Sequence, residues 1–390
     1  MRTPAPGAAE FALLCACCAW PLSAVRLAAA RSAASDVDWE RFARLAWRHR
    51  VDGQVAVALR EAGLAVPDAI QARARKSAFA ALRDCTEAAR IRDAFAVAAV
   101  PLVFVKGVAL SQLVYGASTV RHAKDIDAVV PEENVAEAWD LLAAMGYRRT
   151  IPAQAFTADT LRAFMAFSKD STHRHPVNGA EVELHWRLTG AAGDLDLPPP
   201  AEWQRVTVSA DTAIDTLGDA ALFVYLCLHG TAHGWARLKW IADVAALIER
   251  NRGPAAPDLW AEAQDRRAEL AAVTAIVLAQ ELFGTEPPRG FVRPKSWRLE
   301  RLLAMSRNMM MPRSGDPPAH KTPGYDWTER WATLLLARSW RQRLGVVHRF
   351  AVAGEDVGLL QLPGRLHFLY PLLRLPVWAW KRSRWSPRGR

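Results

Sequence analysis

The chain has 390 residues, of which 51% are hydrophobic and 23% charged, a balance that excludes a disordered chain and allows two or three domains with sizeable cores. A formal charge of +10 and a pI near 9.7 suit an anionic partner such as a nucleotide, a nucleic acid or an acidic membrane surface, or reflect an arginine-rich composition alone. Five cysteines, three crowded at Cys15, Cys17 and Cys18 and two isolated at Cys85 and Cys227, do not read as a disulfide framework or a zinc site, so a reducing, cytoplasmic setting is predicted.

The run Phe11–Trp20 has the apolarity of a signal-peptide core, but Pro21 and Arg26 interrupt it before membrane-spanning length and no crisp cleavage site follows. It is read as a buried first helix, and no transmembrane segment is predicted. From about residue 10 to 95 the pattern is helical. Trp39, Phe42, Leu45 and Ala46 recur at helical spacing behind Asp38, with bases near the end, and Val51–Leu59 and Ile70–Phe95 continue in the same way.

At Val100-Pro101 the character changes. Strands are predicted over Leu102–Lys106, Ile126–Val130, Glu181–Leu188 and Arg205–Val208, and helices over Ala109–Tyr115 and Glu132–Met145. Asp194–Pro200 is a loop by composition, and Thr216-Leu217-Gly218-Asp219 resembles a capping box opening a helix through Leu228. A further helix covers Leu238–Ile248. The remainder is helical, Arg-rich and Trp-rich, broken by the loop Met311–Tyr325. Three regions are therefore expected: a helical region over 1–97, an α/β core over 98–215 and a second helical region over 216–390.

The most informative residues are Asp125 and Asp127 in the run Lys124-Asp125-Ile126-Asp127-Ala128-Val129-Val130. On an extended strand they share one face while Ile126, Ala128 and Val130 enter a core, so the pair can hold a divalent metal. Asp-x-Asp is common by chance, and a two-metal phosphoryl site usually needs a third carboxylate. The strict alternation Glu181-Val182-Glu183-Leu184-His185-Trp186-Arg187-Leu188 offers Glu183, provided that this strand neighbours Ile126–Val130; the competing reading is a solvent-facing polar edge. Upstream, the apolar strand ending at Lys106 runs into Gly107 and a helix, the order expected of a nucleotide-handling site. His229 and His233, four apart on one helical face, could bind zinc, line a cleft or pack in a core; Lys239 and Asp243 could be an ion pair or face the same cleft.

Val105-Lys106-Gly107-Val108-Ala109-Leu110, then Tyr115, Arg121 and Asp125-Ile126-Asp127, resembles the LKGxAL…Y…RxxxDiD signature of the uncharacterised nucleotidyltransferase family of the polymerase-β-like superfamily, and is similar to the abortive-infection nucleotidyltransferases. Glu183–Leu188 resembles the family's DLHWRL strand, and His229–Asp243 its HG..H…RLkWl.D segment. The resemblance implies a small mixed-sheet core flanked by helical regions, and Mg²⁺- or Mn²⁺-dependent transfer of a nucleoside monophosphate from an NTP such as ATP to an unidentified acceptor, with release of pyrophosphate. Asp125, Asp127 and Glu183 would be the metal ligands and catalytic residues. Lys106, Gly107, Arg121, His185, His229, Lys239 and Asp243 would bind the nucleotide. Where superfamily members have Gly-Ser after the first strand, this chain has Gly107-Val108 and lacks the hydroxyl, for which Lys106 and backbone N–H groups could substitute.

The rival expectation is a catalytically degenerate member that binds RNA, a partner or an anionic membrane surface. The tail Tyr370–Trp385, which mixes Trp and Arg with prolines, suits nucleic-acid stacking or peripheral contact with anionic lipid. A metal-dependent phosphohydrolase, for which Asp-x-Asp would also serve, is disfavoured because dense His/Asp ligand clusters are absent from the sequence.

Overall fold

The computed structural model describes residues 7–190, 195–311 and 324–351, with isolated positions between 362 and 373. The predicted Trp/Arg tail falls almost wholly outside the described residues, as do Asp194 in the proline-rich loop and most of the loop Met311–Tyr325.

The apolar opening segment folds as α1 (Ala8–Cys18), which buries Leu13, Leu14, Cys17 and Cys18. It is followed by α2 (Ala24–Ala33), α3 (Trp39–His49), α4 (Asp52–Glu61) and α5 (Asp68–Val97). The Asp38 carboxylate caps α3 by accepting the backbone N–H groups of Glu40 and Arg41 at 3.0 Å each, and the periodic Phe42, Leu45 and Ala46 are its buried stripe. The 30-residue α5 is about 45 Å long. Its first turns put Ile70 and Ala74 into a helical core, while Ala81, Cys85, Ala88, Ile91 and Phe95 enter the core beneath the sheet.

The sheet is built from β1 (Val103–Phe104), β2 (Ile126–Val129), β3 (Arg148–Ile151), β4 (Asp170–Arg174) and β5 (Glu181–His185), in the order β1-β2-β5-β4-β3. Only β2 and β5 are parallel. Helices α6 (Gly107–Tyr115), α7 (Val135–Ala144) and α8 (Ala158–Phe167) lie between strands in the chain, and a hairpin of β6 (Trp203–Ser209) and β7 (Thr212–Leu217) follows. The second helical region comprises α9 (Asp219–Ala232), α10 (Leu238–Arg250), α11 (Leu259–Asp265), α12 (Glu269–Phe283), α13 (Trp297–Met310), α14 (Tyr325–Leu336) and α15 (Trp340–Ala351). Residues of α1, α3 and α4 share one hydrophobic core with α9, α10, α12 and α13, so the helices before and after the sheet form a single helical body against it. The architecture is mixed α/β, with 59% of the described residues helical around a mixed five-stranded sheet, as the sequence pattern predicts. Among the described residues no helix is long and apolar enough to cross a membrane.

Several elements depart from the expectation. Thr216 does not cap a helix: it pairs with Gln204 in the hairpin, and α9 begins at Asp219 behind Gly218, which makes no side-chain cap. Strands β3 and β4 escape a hydrophobic-pattern reading because their residues are polar. In β4 the inward positions are Ser171 and His173, made tolerable by the pair Ser171 Oγ to His173 Nε2 at 3.0 Å and by Trp139 Nε1 donating to Ser171 Oγ at 2.9 Å.

Candidate functional site

The parallel ladder sets Asp127 opposite Glu183 and Val129 opposite His185. Facing residues of neighbouring strands project to the same side. Ile126, Val182, Ala128 and Leu184 therefore fill the sheet's core, while Asp127, Glu183 and His185 gather on the other face with Asp125, one residue before β2. The ligand atoms of Asp127, Glu183 and His185 lie within 4.8 Å of one another, and so do those of Asp125, Glu181 and Glu183. Glu183 belongs to both groups, whereas Asp125 and Asp127 fall in different ones, so the expected set of three acids does not gather within that distance in this structure.

Asp127 is 6% exposed and held from two sides. Lys106 Nζ lies 2.9 Å and His185 Nε2 3.2 Å from its Oδ1. Burial alone would raise the Asp127 pKa, but the Lys106 ammonium, with His185, holds it far below the usual carboxylate range. The same pairing keeps Lys106 charged against its own burial. Lys106 can reach this position because β1 ends at Phe104 and Gly107, at φ +57°, turns the chain sharply into α6. Its ammonium also sits 5.7 Å from the centroid of the Tyr225 ring on α9.

Behind Asp127, burial and then the neighbouring Lys169 lower the His185 pKa, so the imidazole is neutral at pH 7. Lys169 Nζ lies 3.3 Å from Nδ1. An ammonium can only donate, so Nδ1 accepts and the proton is on Nε2, which donates to Asp127. Asp170 completes the row, 3.6 Å from Nδ1 and in contact with Lys169. In contrast, burial followed by repulsion from Asp125 and Asp127 pushes the Glu183 carboxyl up to about 8. The cluster thus holds one firmly ionised acid and one that resists ionisation.

The other predicted residues divide sharply. Arg121 is spent on Asp243: Nε donates to both carboxylate oxygens at 3.0 and 2.8 Å, Tyr115 Oη donates to Oδ1 at 3.0 Å, and the pair is 3% and 0% exposed. It braces α10 against the loop before β2. Lys239 is buried and donates to the His122 carbonyl at 3.3 Å. His229 and His233 stack edge to face, ring centroids 4.7 Å apart, and both pack on Trp240. His233 Nδ1 also meets the Glu329 carboxylate from α14. Neither histidine joins a group of three or more metal-type ligands among the described residues.

With this geometry in view, a family model described as uncharacterised nucleotidyltransferase matches residues 35–284. The chain belongs to that nucleotidyltransferase family. The match runs from the loop before α3 to the end of α12 and contains every acid of the cluster. No curated protein and no solved structure matches the chain.

Sequence reasoning on this nucleotidyltransferase missed Lys169, Asp170 and Tyr225 beside the acids, and Arg50 and Arg237 nearby. Lys169-Asp170 opens a polar strand that carries no alternation of apolar residues. Arg50, in the left-handed conformation at φ 56° just after α3, reads in sequence as an ordinary basic helix end. Arg237 is the arginine of the RLkWl.D resemblance, which marks the position without giving it a role.

Proposed function

We propose that this nucleotidyltransferase moves a nucleoside monophosphate from an NTP to an acceptor hydroxyl, using Mg²⁺ or Mn²⁺ held by Asp125, Asp127 and Glu183. The observation that carries this reading is the β2/β5 register, which sets Asp127 and Glu183 side by side next to the turn at Gly107. The donor set fits the ion: carboxylate oxygens suit a hard divalent cation. Burial and then repulsion from Asp125 and Asp127 raise the Glu183 pKa, and a bound cation relieves the repulsion. When bound, the ion would neutralise phosphate charge as the α-phosphorus is attacked.

The chain's own residues supply the rest. Lys106 and the first amides of α6 would meet phosphate oxygens, in place of the absent hydroxyl at Val108. The acceptor oxygen bonds to the α-phosphorus and its proton passes to a Glu183 carboxylate oxygen. The bond from the α-phosphorus to the bridging oxygen breaks, and pyrophosphate leaves with that electron pair. The five cysteines, free and buried, suit a reducing cytoplasm. The experiment is incubation of the full chain with each α-labelled NTP and Mg²⁺, followed by mass spectrometry for pyrophosphate and for a nucleotidylated acceptor. Equal Mg²⁺-dependent NTP binding by the wild type and by Asp125→Asn/Asp127→Asn would refute the site.

A second reading, nucleotide or RNA binding without turnover, draws on the Lys106–Asp127 ion pair, in which an ammonium already satisfies one of the two aspartates. Salt-sensitive nucleic-acid binding with no pyrophosphate release would favour it.

A further inference from the structure

Within electrostatic reach of Asp125 stands a group of cations that the sheet does not provide. His49 Nδ1 accepts the backbone N–H of Leu238 at 3.0 Å, tying the end of α3 to the start of α10. That bond sets the next residue of one chain segment, Arg50, beside the preceding residue of the other, Arg237. Lys239, one residue further on, reaches the loop before β2 through the His122 carbonyl. None of these three side chains has an ion pair with a carboxylate among the described residues; Arg237 only lies over the Trp240 ring, 5.3 Å from its centroid.

Such cations are costly to desolvate and repel one another. Burial, then Arg50, lowers the Arg237 pKa to about 10. Burial, followed by Arg121 and Arg50, takes Lys239 well below its ordinary value. Arg50 and Arg237 both feel the attraction of Asp125 without reaching ion-pair distance from it. The attraction of Asp125 therefore acts on two guanidinium groups that form no ion pair with a carboxylate among the described residues.

We propose that Arg50, Arg237 and Lys239 form the seat of the β,γ-diphosphate of the donor nucleotide, an anion site that the helical body lays against the acidic face of the sheet. The inference rests on the transferase reading and deepens it. Guanidinium forks match phosphate oxygens in bidentate fashion. Two guanidinium groups with the Lys239 amino group beside them suit a diphosphate better than a single phosphate ester, and an incoming anion favours the charged form of Lys239. Charge develops on the pyrophosphate leaving group as the bond to the α-phosphorus breaks, where fixed cations in a partly dry site act most strongly.

The probe is inorganic pyrophosphate, titrated calorimetrically into the full chain in EDTA, with orthophosphate alongside. The wild type is expected to bind pyrophosphate, with orthophosphate at least about tenfold weaker, and Arg50→Gln/Arg237→Gln to lose at least about tenfold in pyrophosphate affinity. Asp125→Asn should bind as well as the wild type or better, because a repelling charge is gone. Relief of cation repulsion should leave the double variant melting at or above the wild-type temperature; if it fails to fold, Arg50→Gln alone carries the comparison. Absence of pyrophosphate binding to the wild type, or equal affinity in the arginine variants, overturns the site. Preferential binding of orthophosphate also overturns it and points to a phosphorylated acceptor. Pyrophosphate binding that depends on the arginines, with no acceptor labelled by any NTP, sinks the transferase reading and leaves the anion site standing. Turnover with unchanged pyrophosphate affinity does the reverse.

Discussion

The acidic face of the sheet and the cationic wall facing it are built by opposite means. The acids come from two neighbouring strands whose register puts Asp127 and Glu183 in one row, so their meeting needs only local alternation and one strand pairing. The cations arrive from the end of α3 and the start of α10, brought together by one hydrogen bond between residues 189 positions apart. A site can thus have one half set by strand periodicity and the other by long-range packing, and the two halves should fail differently when mutated.

The largest expected effect is on the acidic half. Asp125→Asn/Asp127→Asn should lower transfer by at least about a hundredfold, since the step depends on positioned charge, read as pyrophosphate released per minute. The single variants sharpen this. Asp127→Asn strands the buried Lys106 ammonium and should also cost about 3 kcal/mol of stability. Asp125→Asn removes a partly exposed charge, 4.0 Å from Lys124 at nearest, and should leave the melting temperature within a few degrees. Equal destabilisation by both would contradict the Lys106 pairing.

How much of this could be read from the sequence follows from the same contrast. Asp125, Asp127 and Glu183 were legible because a period of two fixes which residues share a face, and the glycine turn at 107 marks the neighbouring strand's end. Arg121 and Asp243 were legible as family-like positions, but not in their relation: that they neutralise each other in a dry strut depends on how α10 crosses the loop before β2. Lys169 and Asp170 left no pattern, because β4 is polar on both faces and is held by pairings such as Ser171–His173. Arg50 could not be found at all without knowing where α10 starts.

The wall's supports come next in size. Arg121→Ala leaves Asp243 buried and uncompensated and should cost about 3–5 kcal/mol in urea unfolding. Gly53→Ala on α4 should be comparably severe: a Cβ there would lie 2.0 Å from the Val120 carbonyl oxygen, and the intruding backbone cannot swing aside. Wild-type stability in either variant would mean that the helices and the loop before β2 do not meet as described.

The joint at His49 gives a pH dependence. Burial, then Arg48, lowers its pKa to about 3, and its Nδ1 must stay unprotonated to accept from Leu238. The folded value lies below the unfolded one, near 6.5. The contribution is therefore complete above about pH 6.5 and is lost as pH falls from there toward 3, at up to about 1.4 kcal/mol per pH unit. His122 and His173 are lowered to about 3 as well, so the informative quantity is a difference. His49→Gln should unfold more easily at pH 7.5 and show a shallower loss between pH 6.5 and 4.5. Parallel profiles for the two proteins would remove His49 as the pH-sensitive joint.

The smallest effect belongs to Gly107, and its size separates strain from space. A Cβ there meets nothing nearer than the Asp125 carbonyl oxygen at 3.7 Å, an ordinary contact, but φ is +57°. Gly107→Ala should therefore cost only the left-handed penalty of about 1–2 kcal/mol, far less than Gly53→Ala, while still disturbing the turn that delivers Lys106 to Asp127. If that turn positions phosphate, the alanine variant will lose NTP affinity out of proportion to its small loss of stability. If it merely connects β1 to α6, affinity and stability will fall together. Binding isotherms and urea curves measured on the same preparation decide between the two.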